Sequence, residues 1–182
     1  MATNGVAPNY LVLSVLGNDH PGMLEDISET CLQCGCNILD TRAMIAGSEF
    51  TANFLLAGNW SAIAKMEAAL PTLEQRLGLT TMVRRTHERP KDSQAISYTV
   101  QILAQDKPGI VHHAASFFTA QGINMTNMDA ETYLDQHTFT RMFSLTMVLE
   151  VPSACHIGQL RERFLLFCDE QNLDAILEPL RV

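Results

Sequence analysis

Asp19-His20-Pro21-Gly22, followed by Gly35-Cys36-Asn37, returns 87 positions later as Asp106-Lys107-Pro108-Gly109, followed by Gly122-Ile123-Asn124. The same offset lays Leu11, Leu13 and Val15 onto Tyr98, Val100 and Ile102, so apolar strand positions repeat together with the motif residues. With two residues inserted, Phe50-Thr51-x-x-Phe54 is expected to recur as Phe139-Thr140-x-x-Phe143. A period this long exceeds that of stacked solenoid repeats and predicts two tandem globular domains. Whatever chemistry sits at Asp-x-Pro-Gly is then present twice.

Before the first turn, residues 10–16 alternate and then run apolar, as a buried strand does, and end at Gly17-Asn18-Asp19. After it, Met23, Leu24, Ile27, Cys31 and Cys34 fall at helical spacing and stop at Gly35, a favourable residue just past a helix end. Residues 37–45 and 49–56 alternate again around Ala46-Gly47-Ser48, the pattern of a hairpin. Ile63, Met66, Leu70, Leu73 and Leu77 make a second helical stripe, which Pro71 is expected to kink or interrupt, and residues 79–85 give a last strand.

The second half repeats this order. A strand at 96–104 precedes a helix at 109–121 built on Val111, Ala114 and Phe118. Strands at 124–132 and 139–149, a helix at 155–171 on Ile157, Leu160, Phe164 and Phe167, and a strand at 173–178 follow. The order β-α-β-β-α-β predicts an α+β fold of two tandem ferredoxin-like βαββαβ domains, spanning 8–86 and 96–180 and joined by a polar linker at 87–95.

Each predicted domain is small, so additional burial against a second chain is expected, and a dimer is the simplest form of it. The net charge of −8 is shared evenly, with nine acids against six bases in residues 1–89 and eleven against six in 90–182. Neither half offers a basic footprint for a phosphate backbone, which argues against direct nucleic-acid binding. No apolar run approaches the roughly 18 residues of a membrane span, and Met-Ala-Thr-Asn-Gly lacks the charged start of a secretion signal. A cytosolic protein with five reduced thiols is expected.

The Asp-x-Pro-Gly turn joins the first strand of each domain to its first helix, with Asp near the N-cap and Pro in the first turn. The unpaired N–H groups and positive dipole end of such a helix attract a carboxylate, and Gly22 or Gly109 removes the side chain that would block its approach. Asn37 and Asn124 add amides at the start of the next strand, and Asp19 could receive an ammonium group. The same residues also suit a purely structural role, in which Asp caps the helix, Pro opens it and Gly-x-Asn ends it.

The doubled pattern resembles tandem ACT domains, the amino-acid-sensing modules of metabolic regulation. His20-Pro21-Gly22, Cys34-Gly35-Cys36-Asn37-Ile38, Gly47-Ser48-Glu49-Phe50-Thr51 and Leu56-Ala57-Gly58-Asn59-Trp60 are similar to the glycine cleavage system transcriptional repressor family. The resemblance covers about residues 8–180 and is more distinctive in the first half. It implies a non-enzymatic regulator that senses glycine and controls a DNA-binding regulatory protein without touching DNA. The implied ligand-binding residues are Asp19, His20, Pro21, Gly22, Met23, Leu24, Asn37 and Ile38, and, in the second domain, Asp106, Lys107, Pro108, Gly109, Ile110, Asn124 and Met125. His20 stands where many ACT sequences carry Arg or Lys, whereas Lys107 fits, so the two sites are expected to differ in ligand or affinity. No cofactor, metal or catalytic residue is assigned.

Other signals weigh less. Cys31-x-x-Cys34-x-Cys36 invites zinc, but Cys31 and Cys34 belong to an apolar helical stripe and no second pair lies at finger spacing. Adjacent helical residues such as His112-His113 point in different directions and make no i, i+4 metal pair. Arg84, Arg85, Arg89 and Lys91 read as a solvated linker region. The nine methionines, including Met125, Met128, Met142 and Met147, read as core filler. A small hydrolase of the acylphosphatase type would want a cationic glycine-rich loop after the first strand, which Gly17-Asn18-Asp19-His20 does not supply. An RNA-binding sheet would expose aromatics, yet Phe50, Phe54, Phe139 and Phe143 lack the expected consensus and read as core residues under the helices.

Overall fold

The computed structural model describes residues 8–90 and 95–180. The chain divides into two compact units, Met1–Pro90 and Lys91–Val182. In the first, β1 (Asn9–Asn18), α1 (Met23–Cys34), β2 (Asn37–Ala46), β3 (Glu49–Gly58), α2 (Trp60–Leu77) and β4 (Leu79–Thr86) follow in sequence. The second contains β5 (Ile96–Gln105), α3 (Ile110–Ala120), β6 (Asn124–Leu134), β7 (Arg141–Val151), α4 (Ile157–Glu170) and β8 (Asp174–Pro179). Residues 91–94 of the predicted linker lie outside the described residues.

Each unit is one antiparallel sheet, in the order β2-β3-β1-β4 or β6-β7-β5-β8. The α+β, doubled ferredoxin-like architecture is the one read from the sequence. Alternation along β1 buries Leu11, Leu13 and Val15 against the helices and turns Val12 and Ser14 to the other face. Ile27 and Cys31 of α1, Ile63, Met66 and Leu70 of α2, and Phe54 and Leu56 of β3 complete that core. In the second unit Val100, Ile102, Leu145, Met147, Ala114, Phe118, Leu160 and Phe164 do the same. β1 and β3, and β5 and β7, hold the middle of each sheet, while the outer strands β2 and β6 are exposed along nearly their whole length.

Registers show where the sequence alignment slips. Gly17 lies opposite Phe50, and Ala104, its equivalent 87 residues on, lies opposite Phe143. Phe50 therefore matches Phe143, and Phe54 matches Met147, an offset of 93 rather than 89. The extra residues, Asp135 to Thr140, lengthen the β6–β7 connection, where Asp135 accepts bonds from the N–H groups of His137 and Thr138 and from the Thr138 hydroxyl. Phe139 sits in that loop at φ 53° and is 78% exposed, so it is neither a strand nor a core residue. The cores compensate across the repeat. Ile27 and Cys31 in one unit become Ala114 and Phe118 in the other, which keeps the summed volume similar.

Three further expectations need correction. α2 runs unbroken through Pro71, because the proline lies on the exposed face, where solvent can serve the Glu67 carbonyl left without its i+4 donor. Val111 is only half-buried, and Ile110 carries the burial at the start of α3. Met23, Met66 and Met147 are core residues, but Met44, Met82 and Met128 are exposed on strands whose sheet face no helix covers.

Candidate functional site

Neither aspartate caps its helix. α1 begins at Met23 with Gly22 as N-cap, and α3 begins at Ile110 with Gly109 as N-cap, and no side-chain bond caps either. Pro21 and Pro108 precede the N-cap and so lie outside the first turn where the sequence placed them. Gly22 and Gly109 adopt φ of 98° and 99°, a conformation that only glycine takes without strain. The first intrahelical bonds are donated by Asp26 N–H to the Gly22 carbonyl and by His113 N–H to the Gly109 carbonyl, both 2.9 Å. The N–H groups ahead of them have no carbonyl within the helix to bond, which leaves a small anion-attracting end.

The backbone of each turn is fixed by its neighbour in the sheet. Asp19 N–H donates to the Ser48 carbonyl at 3.1 Å and Asp106 N–H to the Arg141 carbonyl at 2.9 Å, so each turn lies beside the hairpin that follows it. His20 Nδ1 donates to the Pro21 carbonyl at 3.1 Å. Lys107 Nζ instead donates to the Gln171 carbonyl at 2.5 Å and so ties the second turn to the negative end of α4. Beside this turn opens a cleft of about 450 Å³, lined by Lys107, Gly109, Ile110, Val111, His112 and Phe143.

The predicted residues do not all gather there. Asp19, His20, Pro21, Gly22 and Leu24, and Asp106, Lys107, Pro108 and Gly109, are exposed around their turns. Met23 and Ile110 are buried, 2% and 3% exposed, so their side chains belong to the cores. Asn37 and Asn124 are exposed at the first residues of β2 and β6, and Ile38 and Met125 pack against the cores. Asn37 lies opposite Ala57, which lies opposite Tyr10, at the far end of β1 from the turn. The eight steps from Tyr10 to Asn18 put about 26 Å between the two groups at the rise of a strand. Within one unit, the turn and the asparagine are therefore too far apart for one free amino acid to reach both.

The weaker candidates resolve structurally. Burial pushes the Cys31 and Cys168 thiols up to about 12 and raises Cys34 and Cys36 as well. Among the described residues no three His, Cys, Asp or Glu side chains converge as a metal site would need. Iodoacetamide at mildly alkaline pH should therefore label the half-buried Cys34 and Cys155 first, and leave Cys31 and Cys168 unmodified until the protein unfolds. Mass spectrometry of the native and denatured chain checks this. The basic cluster also disperses. Arg85 donates to Glu67 at 2.9 and 2.6 Å and holds that carboxyl below its usual range, Arg84 is exposed on the opposite sheet face, and Lys91 lies outside the described residues.

Comparison with known proteins fixes the family. The ACT domain profile matches residues 9–84. The chain is 30% identical over 164 residues to the glycine cleavage system transcriptional repressor of Escherichia coli (strain K12), which covers 90% of this chain and 86% of that protein. It belongs to the glycine cleavage system transcriptional repressor family. A crystal structure bearing that repressor's name matches with TM-score 0.71 at 30% identity, over 96% of this chain and 99% of the other. An unknown protein from Galdieria sulphuraria shares the fold, with TM-score 0.75 at 20% identity over 96% and 100% of the two chains.

Within this repressor-family chain, the residues that sequence reasoning missed are those brought to the turns from the helices and the neighbouring hairpin. Val111, His112 and Phe143 line the second cleft. Asp26 and His113 stand over Gly22 and Gly109. Asp26 and His113 could have been found from their spacing, since a residue four positions after an N-cap glycine returns to the same side of the helix. Phe143 could not, because its position depends on the length of the hairpin loop.

Proposed function

We propose that the chain is an amino-acid-sensing regulator, with glycine as its effector, that represses the glycine cleavage system through protein–protein contacts with a DNA-binding regulatory protein. The observation that carries this reading is the pair of uncapped helix N-termini opened by Gly22 and Gly109, which suit a carboxylate in a fold whose relatives are regulators. A net charge of −8 sends any effect on transcription through a partner in the cytosol. No residue is given a catalytic role. Ligand binding acts by favouring one state of the protein over another, and so changes its affinity for the partner. A dimer supplies burial for exposed apolar groups such as Met44 and Ile45 on β2.

Isothermal titration and thermal shift against a panel of amino acids test the reading. Glycine at 100 times its dissociation constant should stabilise the protein by about 2.7 kcal/mol. If no amino acid at millimolar concentration gives heat or shifts the melting temperature, the sensing role falls. The purified chain should also leave promoter DNA unretarded at physiological salt. Salt-sensitive retention would overturn the indirect mechanism.

A further inference from the structure

The sheet face that no helix covers carries opposite charge at matched positions of the two units. In the first unit, strand pairing puts Arg42 opposite Asn53, which lies opposite Ser14, and puts Arg84 opposite Val12. In the second, Asp129 lies opposite Thr146, which lies opposite Gln101, and Glu178 lies opposite Thr99. Ser14 and Val12 precede Gln101 and Thr99 by the 87-residue repeat, so Asp129 takes the place of Arg42 and Glu178 that of Arg84. All four are exposed, as are Met82 and Ile176, which share another matched position. Glu131 and Asp174 add acids at the edges of the second face, and none of its strand residues is Lys or Arg. On the first face Asp40 is held by Arg42 at 3.1 Å in an exposed pair, and Glu49 lies at the hairpin end. Between the edges, the central strands offer Val12, Leu16 and Leu55 in the first unit and Leu103 and Val148 in the second. A concavity of about 520 Å³ opens on the second face beside Leu103, Ser144, Thr146 and Ile176.

We propose that these faces are partners: the open sheet face of the first unit docks on the open sheet face of the second unit of another copy of this chain, with Arg42 and Arg84 over the carboxylates of Asp129, Glu131, Asp174 and Glu178. The inference rests on the dimer proposed above and names its surfaces, and it does not depend on which ligand is sensed. Two sheets stack face to face about 10 Å apart with their side chains interdigitated. Arginines stand at both edges of one face, on β2 and β4, and acids at both edges of the other, on β6 and β8. Turning one face end for end therefore still brings each arginine over an acid. The second face cannot stack on its own copy, since like charges would meet along both edges. Unlike faces pair instead, and a two-fold dimer makes the contact twice. Four strands at about 4.8 Å spacing and eight residues at about 3.3 Å give roughly 500 Å² per face. Four faces then bury about 2,000 Å², which is enough for a stable dimer. Exposed ion pairs add little affinity by themselves, so the buried area holds the copies together while the charges select which face meets which. The concavity leaves room for Leu16 and Met82 of the other copy.

Sedimentation velocity of the full chain and of two charge-reversed variants tests the pairing. One variant carries Arg42→Glu with Arg84→Glu, and the other Asp129→Lys with Glu178→Lys. All four positions are exposed, and far-ultraviolet circular dichroism with urea melts checks that each variant keeps its fold. The wild type should be a dimer at micromolar concentration, and each variant should dissociate about tenfold more readily or worse. An equimolar mixture of the two variants should recover the dimer, because one contact of the mixed pair keeps its native charges and the other has them exchanged. A wild type that stays monomeric at about 100 μM overturns the proposal together with the dimer, while glycine titration still decides sensing. Variants that dimerise as the wild type does leave the dimer standing and remove these faces from it. Variants that dissociate but fail to recombine overturn the pairing of unlike faces.

Discussion

Phe164→Ala is expected to destabilise the second unit by about 3–5 kcal/mol, the range for emptying an aromatic site in a packed core. Phe164 is fully buried, and its ring centroid lies 5.0 Å from Phe118 and 5.4 Å from Phe117. Phe117 in turn stacks on Phe167 at 5.1 Å, so four rings from α3 and α4 share one cluster. Alanine would remove the central ring, and the others sit on two helices that cannot close the gap without leaving the sheet. At roughly 0.05–0.15 kcal/mol per residue, a domain of this size holds about 4–13 kcal/mol, so the substitution removes a large share of it. Urea unfolding followed by far-ultraviolet circular dichroism measures the effect, with hydrogen exchange of the β5 and β7 amides localising it. A loss under about 1 kcal/mol would mean that this cluster is not the keystone of the second core.

That cluster also shows what the sequence made legible. Ala114, Phe118, Leu160 and Phe164 fall at helical spacing, and a buried stripe needs no knowledge of its partners to be recognised. The same holds for Leu11, Leu13 and Val15, whose period of two reveals a strand with one buried face. Register is different in kind. Phe139 aligns with Phe50 in sequence because both precede threonine, yet strand pairing assigns Phe143 to that role, since the six loop residues from Asp135 to Thr140 carry no periodicity by which to count them. Pro71 misled because its cost depends on which side of the helix it faces, and that is set by packing.

The candidate site was legible only as far as its backbone. Gly22 and Gly109 announce positive φ, and both adopt it. Asn37 follows the opposite end of α1 from the turn. A helix of twelve residues is about 18 Å long, which already exceeds a free amino acid. Asp26 and His113 went unread for the opposite reason. Nothing in their own sequence marks them, and their importance comes from one helical turn returning them above the glycines.

Valine at Gly109 and at Gly22 should separate backbone strain from ligand exclusion. At φ of 99° and 98° a β-branched residue is strained wherever there is room for it, so both variants should lose about 1–3 kcal/mol of stability. Beyond that shared loss the surroundings differ. A Cβ on Gly109 comes within 3.3 Å of His113 Cε1, tighter than an ordinary contact, so the imidazole must move and the branched methyls cover the free N–H groups. Among the described residues, a Cβ on Gly22 meets Asp26 Oδ2 at 3.8 Å, an ordinary contact with a carboxylate already in place. Ligand affinity should therefore fall by about tenfold or more in Gly109→Val, the scale of one lost charge-assisted hydrogen bond, and change little in Gly22→Val. Alanine at each position gives a milder version of the same pair. Urea melts and glycine titrations on all four variants provide the comparison. If Gly22→Val weakens binding as much as Gly109→Val at equal stability loss, strain alone explains both, and the second turn has no special claim on the ligand.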